Sequence, residues 1–311
     1  MKVYTHNFNA KSNSGPNKFT RQLFNCMKSN YGVAIVDNQD VADVEFCLIQ
    51  QDRHKVKPML LRLDGIWFNS DQDYEQQNAP IKFSYDNADV VIFQSEFNKN
   101  LTHHWFGKHK NGHVVHNAAD MSMIRNANPQ FFNRRFGKST EVWSCASSWR
   151  PHKRLRENIR YYQKFAPLDS VLAIAGALPM DSAKEIMLLD KRIHLLGDLD
   201  YMSLLALYKR STTFIHLAYL DHCPNVVVDA QAAGCKIVCT SSGGTNEIVN
   251  SGIMVFEDEW KFNPIKLYYP PQLDFTKITE IYSHQCEDKK NNIEKCAKKY
   301  YDLMRQMYEC S

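Results

Sequence analysis

Short apolar runs rich in β-branched residues recur along the chain and alternate with longer segments of helical period. "KVYT" from Lys2, "GVAIV" from Gly32, "VEFCLI" from Val44, "MLLRL" from Met59, "DVVIFQ" from Asp89 and "HVVH" from His113 read as strands. A second series follows: "EVWSCAS" from Glu141, "VLAIAG" from Val171, "IHLLG" from Ile193, "TTFIHL" from Thr212 and "KIVCTS" from Lys236. Between many of them, helical spacing predicts helices over 17–29, 96–106, 152–165, 182–190, 201–209 and 225–233. Alternation of this kind means parallel sheets flanked by helices, an α/β fold.

Between the two series, residues 121–140, "MSMIRNANPQFFNRRFGKST", have no clear period and are dense in Asn and Arg. They read as a linker between an N-terminal domain, 1–120, and a C-terminal domain, 141–285, each large enough for a core. The last stretch, 286–311, has helical spacing with Ile293, Cys296, Tyr300 and Leu303 on one side, suited to packing across the domain join.

A length of 311 residues fits this two-domain division, and a hydrophobic content of 44% excludes intrinsic disorder. The formal charge of +4 is spread along the chain, which argues against a nucleic-acid partner but leaves room for a local anion site. The nine cysteines are odd in number and contain no C-x-x-C pair, and Cys47, Cys145 and Cys239 fall inside strand runs. The start, "MKVYTHNF", has no signal-peptide apolar region, so a reducing, cytoplasmic setting is expected. "FFNRRFGK" mixes aromatics with positive charge as a peripheral membrane contact would; packing of its phenylalanines on the domain join is the preferred reading.

Several chemistries are excluded. There is no G-x-G-x-x-G dinucleotide fingerprint, and "FGKST" at 136–140 lacks the first glycine of a phosphate loop and precedes a strand. No His/Cys cluster has zinc spacing. Asp198 and Asp200 form a D-x-D, but their place before a helix points to capping, and no metal site is expected.

The stretch "DHCPNVVVDAQAAGCKIVCTSSGGTNEIV" from Asp221 carries the candidate chemistry. Pro224 and Asn225 make a helix start, with Asn225 as N-cap, and Gly234 a stop. The first amides, at Asn225 and Val226, then form an anion site suited to phosphate. Asp229 lies one turn after Asn225 on the same face, and Asp221 lies just before the helix. Two carboxylates beside an anion site suit an anion that carries hydroxylated sugars, whose vicinal hydroxyls a carboxylate accepts. For either aspartate alone, a solvated helix residue or a turn-former is the plainer reading. Gly243 and Gly244, at a strand end before a helix, shift the balance because they allow close backbone approach.

An acid, seven residues, a second acid followed by Ala, then Gly, a strand and "GG..E" resembles the signature of family 4 glycosyltransferases. Other segments fall in the family's order: "SGPNKFTRQL" at 14–23 resembles its glycine loop and first helix, "ADVVIFQSEFNKN" its strand-Ser-Glu-Phe segment, "VVHNAAD" its Val-Ile-Pro-Asn-Gly-Val-Asp, and "ASSWRPHKRL" its diphosphate-binding segment. The chain departs from the family in having Asp at both acidic positions, where Glu is usual, and Ser148 where an arginine is usual, so that Arg150 would substitute.

The resemblance implies a GT-B architecture, two Rossmann-like domains with parallel sheets facing across a cleft. It implies a retaining, metal-independent transferase that takes a nucleoside diphosphate sugar as donor and a glycan, lipid or small molecule as acceptor, with no cofactor. Arg150 and Lys153, with the amides of Asn225 and Val226, would neutralise the departing diphosphate; Asp229 would hold the ribose and Asp221 the donor sugar. Gly15 would approach the diphosphate, and Gly197 would lie near the base. The alternatives are a non-catalytic nucleotide-sugar-binding protein, or a sugar-nucleotide epimerase or phosphorylase on the same architecture.

Overall fold

A computed structural model describes residues 1–178, 186, 190–282 and 292–310. The chain divides into two compact units: Met1–Ala118 with Lys261–Ile265 and Asn291–Ser311, and Ala119–Trp260 with Lys266–Lys290.

The N-terminal unit is built on β1 (Lys2–His6), β2 (Ala34–Val36), β3 (Val44–Leu48), β4 (Met59–Leu63), β5 (Val90–Phe93) and β6 (Gly112–Val114), all parallel, in the order β2-β1-β3-β4-β5-β6. Every residue of β3, β4 and β5 is buried, as expected for strands covered on both faces. Helices Gly15–Tyr31, Tyr74–Asn87 and Glu96–Phe106 connect them; the second was not anticipated, because its apolar face is weak and Pro80 interrupts it. The C-terminal helix Ile293–Glu309 packs on the first helix and on β3, placing Ile293, Cys296, Ala297, Tyr300, Met304 and Met307 in this unit's core.

The C-terminal unit follows with β7 (Val142–Ala146), β8 (Val171–Ala175), β9 (Ile193–Gly197), β10 (Thr213–His216), β11 (Lys236–Thr240), β12 (Ser251–Val255) and β13 (Ile278–Tyr282), in the order β13-β12-β11-β10-β7-β8-β9. All pairings are parallel except β12 with β13, two strands that lay outside the apolar runs picked out in the sequence. The helix expected over 182–190 lies outside the described residues, apart from Ile186 and Asp190. No helix among the described residues is long and apolar enough to cross a membrane.

Residues 121–140 are not a bare linker. Met121–Asn126 and Gln130–Phe136 are helices of the C-terminal unit, and Ile124, Phe132 and Phe136 join its core, leaving Phe131 exposed. Both helices are too short to show a period or to stand alone, so tertiary contacts hold them. Asp120 caps the first, Lys209 Nζ donates to the carbonyls of Arg125 and Ala127 at 3.0 and 2.7 Å, and Arg210 donates to those of Gly137 and Thr140 at 2.6 Å each. Carbonyls left open at helix ends are thereby satisfied.

At the carboxyl end of β1, fully buried His6 sits between two carboxylates, with Glu45 Oε2 2.8 Å from Nε2 and Asp52 Oδ1 2.8 Å from Nδ1. Burial would lower the His6 pKa, but the two carboxylate hydrogen bonds outweigh it and carry the pKa up. A group raised in the fold stabilises fully below its unfolded value, near 6.5, and the contribution is lost as pH rises through the folded value. Thermal melts of wild type and His6→Gln from pH 6 to 9 test this. The gap between the two should narrow with rising pH; a constant gap would contradict the charged imidazolium.

Candidate active site

In the C-terminal unit the strand order reverses between β7 and β10, so the loops leaving their carboxyl ends part, as at the ligand-binding edge of doubly wound sheets. The loops after β7, β10 and β11 are tied together there. Tyr219 N–H donates to the His152 carbonyl at 2.8 Å, and Gly244 N–H donates to the Asp221 carbonyl at 2.8 Å. Gly243 has φ +74°, and a Cβ on it would fall 2.8 Å from the Asp221 nitrogen, so only glycine lets the two loops approach. Leu220 adopts φ +54°, a left-handed conformation that costs a leucine roughly 1–3 kcal/mol and holds only where the surroundings enforce it.

Asp221 stands on this frame. Its Oδ2 accepts from Lys153 Nζ at 2.5 Å and lies 2.9 Å from His216 Nε2, while Oδ1 accepts from the His222 backbone N–H at 3.0 Å. Burial raises the Asp221 pKa, but the Lys153 ammonium and the His216 hydrogen bond outweigh it and hold the carboxyl well below the usual range. Burial lowers the His216 pKa more than Asp221 lifts it, so the imidazole is neutral and its Nε2–H donates to the carboxylate. His152 and His222 are also neutral, pushed down to about 3 and about 4, in each case chiefly by burial. The positive charge beside Asp221 is therefore that of Lys153.

His216 was not singled out from the sequence. The available signal was a polar residue closing an otherwise apolar strand five positions before the acid. The basic run around Lys153 divides into distinct jobs. Arg150 is exposed, precedes the 3-10 turn Pro151–Lys153, and lines a cavity of about 620 Å³ with Trp149, Pro151, Arg154, Arg156 and Pro271. Arg154 is buried: it donates to Glu257 Oε1 at 2.6 Å and to the Pro271 carbonyl at 2.8 Å, and lies over the Tyr219 ring. Glu257 Oε2 in turn accepts from Ser242 Oγ at 2.6 Å, so one buried ion pair joins the loops after β7 and β12 and, through Ser242, the loop after β11.

The helix after Asp221 runs Asn225–Ala232, so Pro224, not Asn225, takes the N-cap position, and Asn225 and Val226 are the first two helical residues. The ring of Pro224 fixes an extended entry, φ −69° and ψ 118°, and no side-chain cap competes for the amides. Asp229 is buried, which excludes a solvated helix face; its charge is felt by the buried Tyr208 hydroxyl, whose pKa is raised by burial first and Asp229 second. Gly197 ends β9 with φ +66°, and its carbonyl accepts from Gly176 N–H at 2.8 Å. Gly15 belongs to the N-terminal unit, as first residue of the helix Gly15–Tyr31. Asp200 caps the helix Tyr201–Arg210 as expected, whereas Asp198 accepts from the Ala177 N–H at 2.9 Å. Among the described residues, no group of three or more His, Cys, Asp or Glu could hold a metal ion.

Residues 129–261, which contain these three loops, match the family model of glycosyl transferases group 1. This segment is similar to group 1 glycosyltransferases. The whole chain has the GT-B fold: it is similar to sucrose-phosphate synthase of Thermosynechococcus elongatus, with a TM-score of 0.73 at 12% identity and all of both chains covered. It is similar to HepE of Anabaena, solved with UDP-glucose, with a TM-score of 0.64 at 13% identity over 100% of this chain and 99% of that one. AviGT4, a glycosyltransferase involved in avilamycin A biosynthesis, gives a TM-score of 0.64 at 11% identity over the same shares. No curated protein sequence matches the chain.

In the C-terminal unit, Gly243→Ala should cost about 2 kcal/mol, because it combines a positive φ with overlap on the Asp221 backbone. Urea unfolding measures this, and a loss below about 0.5 kcal/mol would show that the two loops are not locked together.

Proposed function

We propose that the protein is a retaining glycosyltransferase that moves a sugar from a nucleoside diphosphate sugar to a glycan or glycolipid acceptor without a metal ion. The observation that carries this reading is the Lys153–Asp221 pair at the reversal of strand order, inside the segment that matches the family. An ammonium has three donors, so Lys153 is able to hold Asp221 and a phosphate oxygen at once. Arg150 and the first amides of the helix at Asn225 and Val226 add further positive potential for the diphosphate.

In the reaction, the acceptor hydroxyl oxygen bonds to the anomeric carbon as the bond from that carbon to the diphosphate oxygen breaks. The hydroxyl proton passes to the diphosphate, and attack from the leaving-group face retains the configuration. Cations fixed in advance stabilise the charge that grows on the diphosphate, which is work a metal does in other transferases. The Asp221 carboxylate, kept ionised by Lys153 and His216, stabilises positive charge at the anomeric carbon and accepts from the sugar's hydroxyls. Asp229 accepts from the ribose hydroxyls, Gly243 and Gly244 let the loop approach the donor, Gly15 leaves room for the diphosphate, and Gly197 lies near the base. A cytoplasmic setting, where such donors are made, belongs to the same reading.

HepE has been solved with UDP-glucose and with UDP, which makes these the first probes. Asp229→Ala should weaken bare UDP at least tenfold through loss of hydrogen bonds to a charged group. Asp221→Asn should leave UDP affinity within about threefold but cut transfer about a hundredfold or more. Calorimetry and a transfer assay read the two effects; wild-type behaviour in both variants would overturn the placement of the acids.

A further inference from the structure

Residues 121–140 carry four cations, Arg125, Arg134, Arg135 and Lys138, and no aspartate or glutamate. All four are exposed. The helix Tyr201–Arg210 brings two more to the same stretch, because Lys209 Nζ donates to the Ala127 carbonyl at 2.7 Å and Arg210 to the Gly137 carbonyl at 2.6 Å. Among the described residues, none of these six cations pairs with a carboxylate. Exposed cations elsewhere in the chain do pair, as Lys82 with Asp86, Lys298 with Asp302 and Arg305 with Glu309. The acids that bound the stretch in sequence are occupied: Asp120 caps Met121–Asn126, and Glu141 accepts from Trp143 Nε1 at 2.7 Å. Burial pushes the Arg210 pKa down, with no carboxylate to raise it. Like charges gathered without a counter-charge repel one another, and an anionic surface relieves that repulsion.

Phe131 stands among these cations. It is 62% exposed and lies one turn before Arg134 and Arg135 on the helix Gln130–Phe136, so the three share a face. Its neighbours anchor that helix: Phe132 and Phe136 are buried and stacked at 6.1 Å, and the Phe131 ring meets Phe132 edge-on at 5.1 Å. A single exposed apolar residue is ordinary on any surface. An exposed ring inside an unpaired basic patch has the composition of an interfacial membrane contact, in which the ring enters the headgroup layer and the cations face lipid phosphates. Lys209 and Arg210 already donate to backbone carbonyls, so they add positive potential more than directed hydrogen bonds, which suits a fluid surface. A single-stranded nucleic acid takes a row of aromatic platforms, and residues 121–140 expose one. Thr140 and Arg210 lie just before β7 and β10, at the amino edge of the sheet, opposite the edge that carries Asp221.

We infer that this face of the C-terminal unit docks on an anionic lipid bilayer, with Phe131 entering the headgroup layer and the six cations facing the lipid phosphates. None of these residues belongs to the candidate donor site, so the docking stands or falls apart from the transferase reading. Flotation of the full chain with phosphatidylglycerol–phosphatidylcholine vesicles, and with pure phosphatidylcholine vesicles, tests it. Wild type should bind the anionic vesicles, bind them less at high salt, and leave phosphatidylcholine alone. Arg134→Ala with Arg135→Ala should weaken that binding about tenfold or more, and Phe131→Ser about fivefold or more, while Phe131→Trp retains it. Lys298→Ala with Arg305→Ala removes the same charge from the exposed face of the helix Ile293–Glu309 and should stay within about threefold of wild type. No preference for anionic vesicles, wild-type binding by either the arginine or the Phe131→Ser variant, or an equal loss in the Lys298–Arg305 variant would overturn the docking. Binding of oligothymidylate in place of vesicles, lost in the same variants, would overturn it too and assign the patch to nucleic acid.

Discussion

The candidate site depends on one partly buried carboxylate that stays ionised. Desolvation alone would raise the Asp221 pKa, and the Lys153 ammonium at 2.5 Å with the His216 imidazole at 2.9 Å outweighs it. Much of the surrounding loop geometry serves to keep the three groups in register. The left-handed Leu220 turns the chain so that Asp221 meets Lys153, and Gly243 lets the next loop close behind it. Arg154 and Glu257 brace the loops as a second ion pair, almost wholly buried.

This division of labour explains why adjacent basic residues behave so differently. Arg154 is consumed by the frame, Lys153 holds the acid, and Arg150 remains exposed. The fold supplies the rest through topology, since the reversal between β7 and β10 opens the loops at one edge of the sheet. The N-terminal unit has an analogous reversal between β1 and β3, marked by buried His6 between its carboxylates.

The strands that position the candidate site were legible because buried parallel strands are written as largely apolar runs. The two strands that escaped, β12 and β13, end one side of the sheet; in β12, Ser251 is exposed and Ile253 and Met254 are only partly buried, so no continuous apolar run marks it. The short helices at Met121–Asn126 and Gln130–Phe136 escaped because Lys209 and Arg210, more than seventy residues away, finish them. Asp221 and Lys153 were legible as types at the right places in an ordered set of motifs. His216 was not, because its meaning arises only when β10 sets its ring against the Asp221 carboxylate. The same holds for buried Arg62 in β4, which donates to Asn117 beyond β6, and Asn117 in turn donates to Gln94.

The most direct test is a thermal-shift panel of nucleoside diphosphates and their sugars, run with and without a chelator. A ligand that binds only the folded state raises the melting temperature with its concentration. The account predicts stabilisation by one diphosphate sugar and its parent diphosphate, unchanged by chelator. No stabilisation by any member of the panel, or a shift that vanishes with chelator, would contradict it.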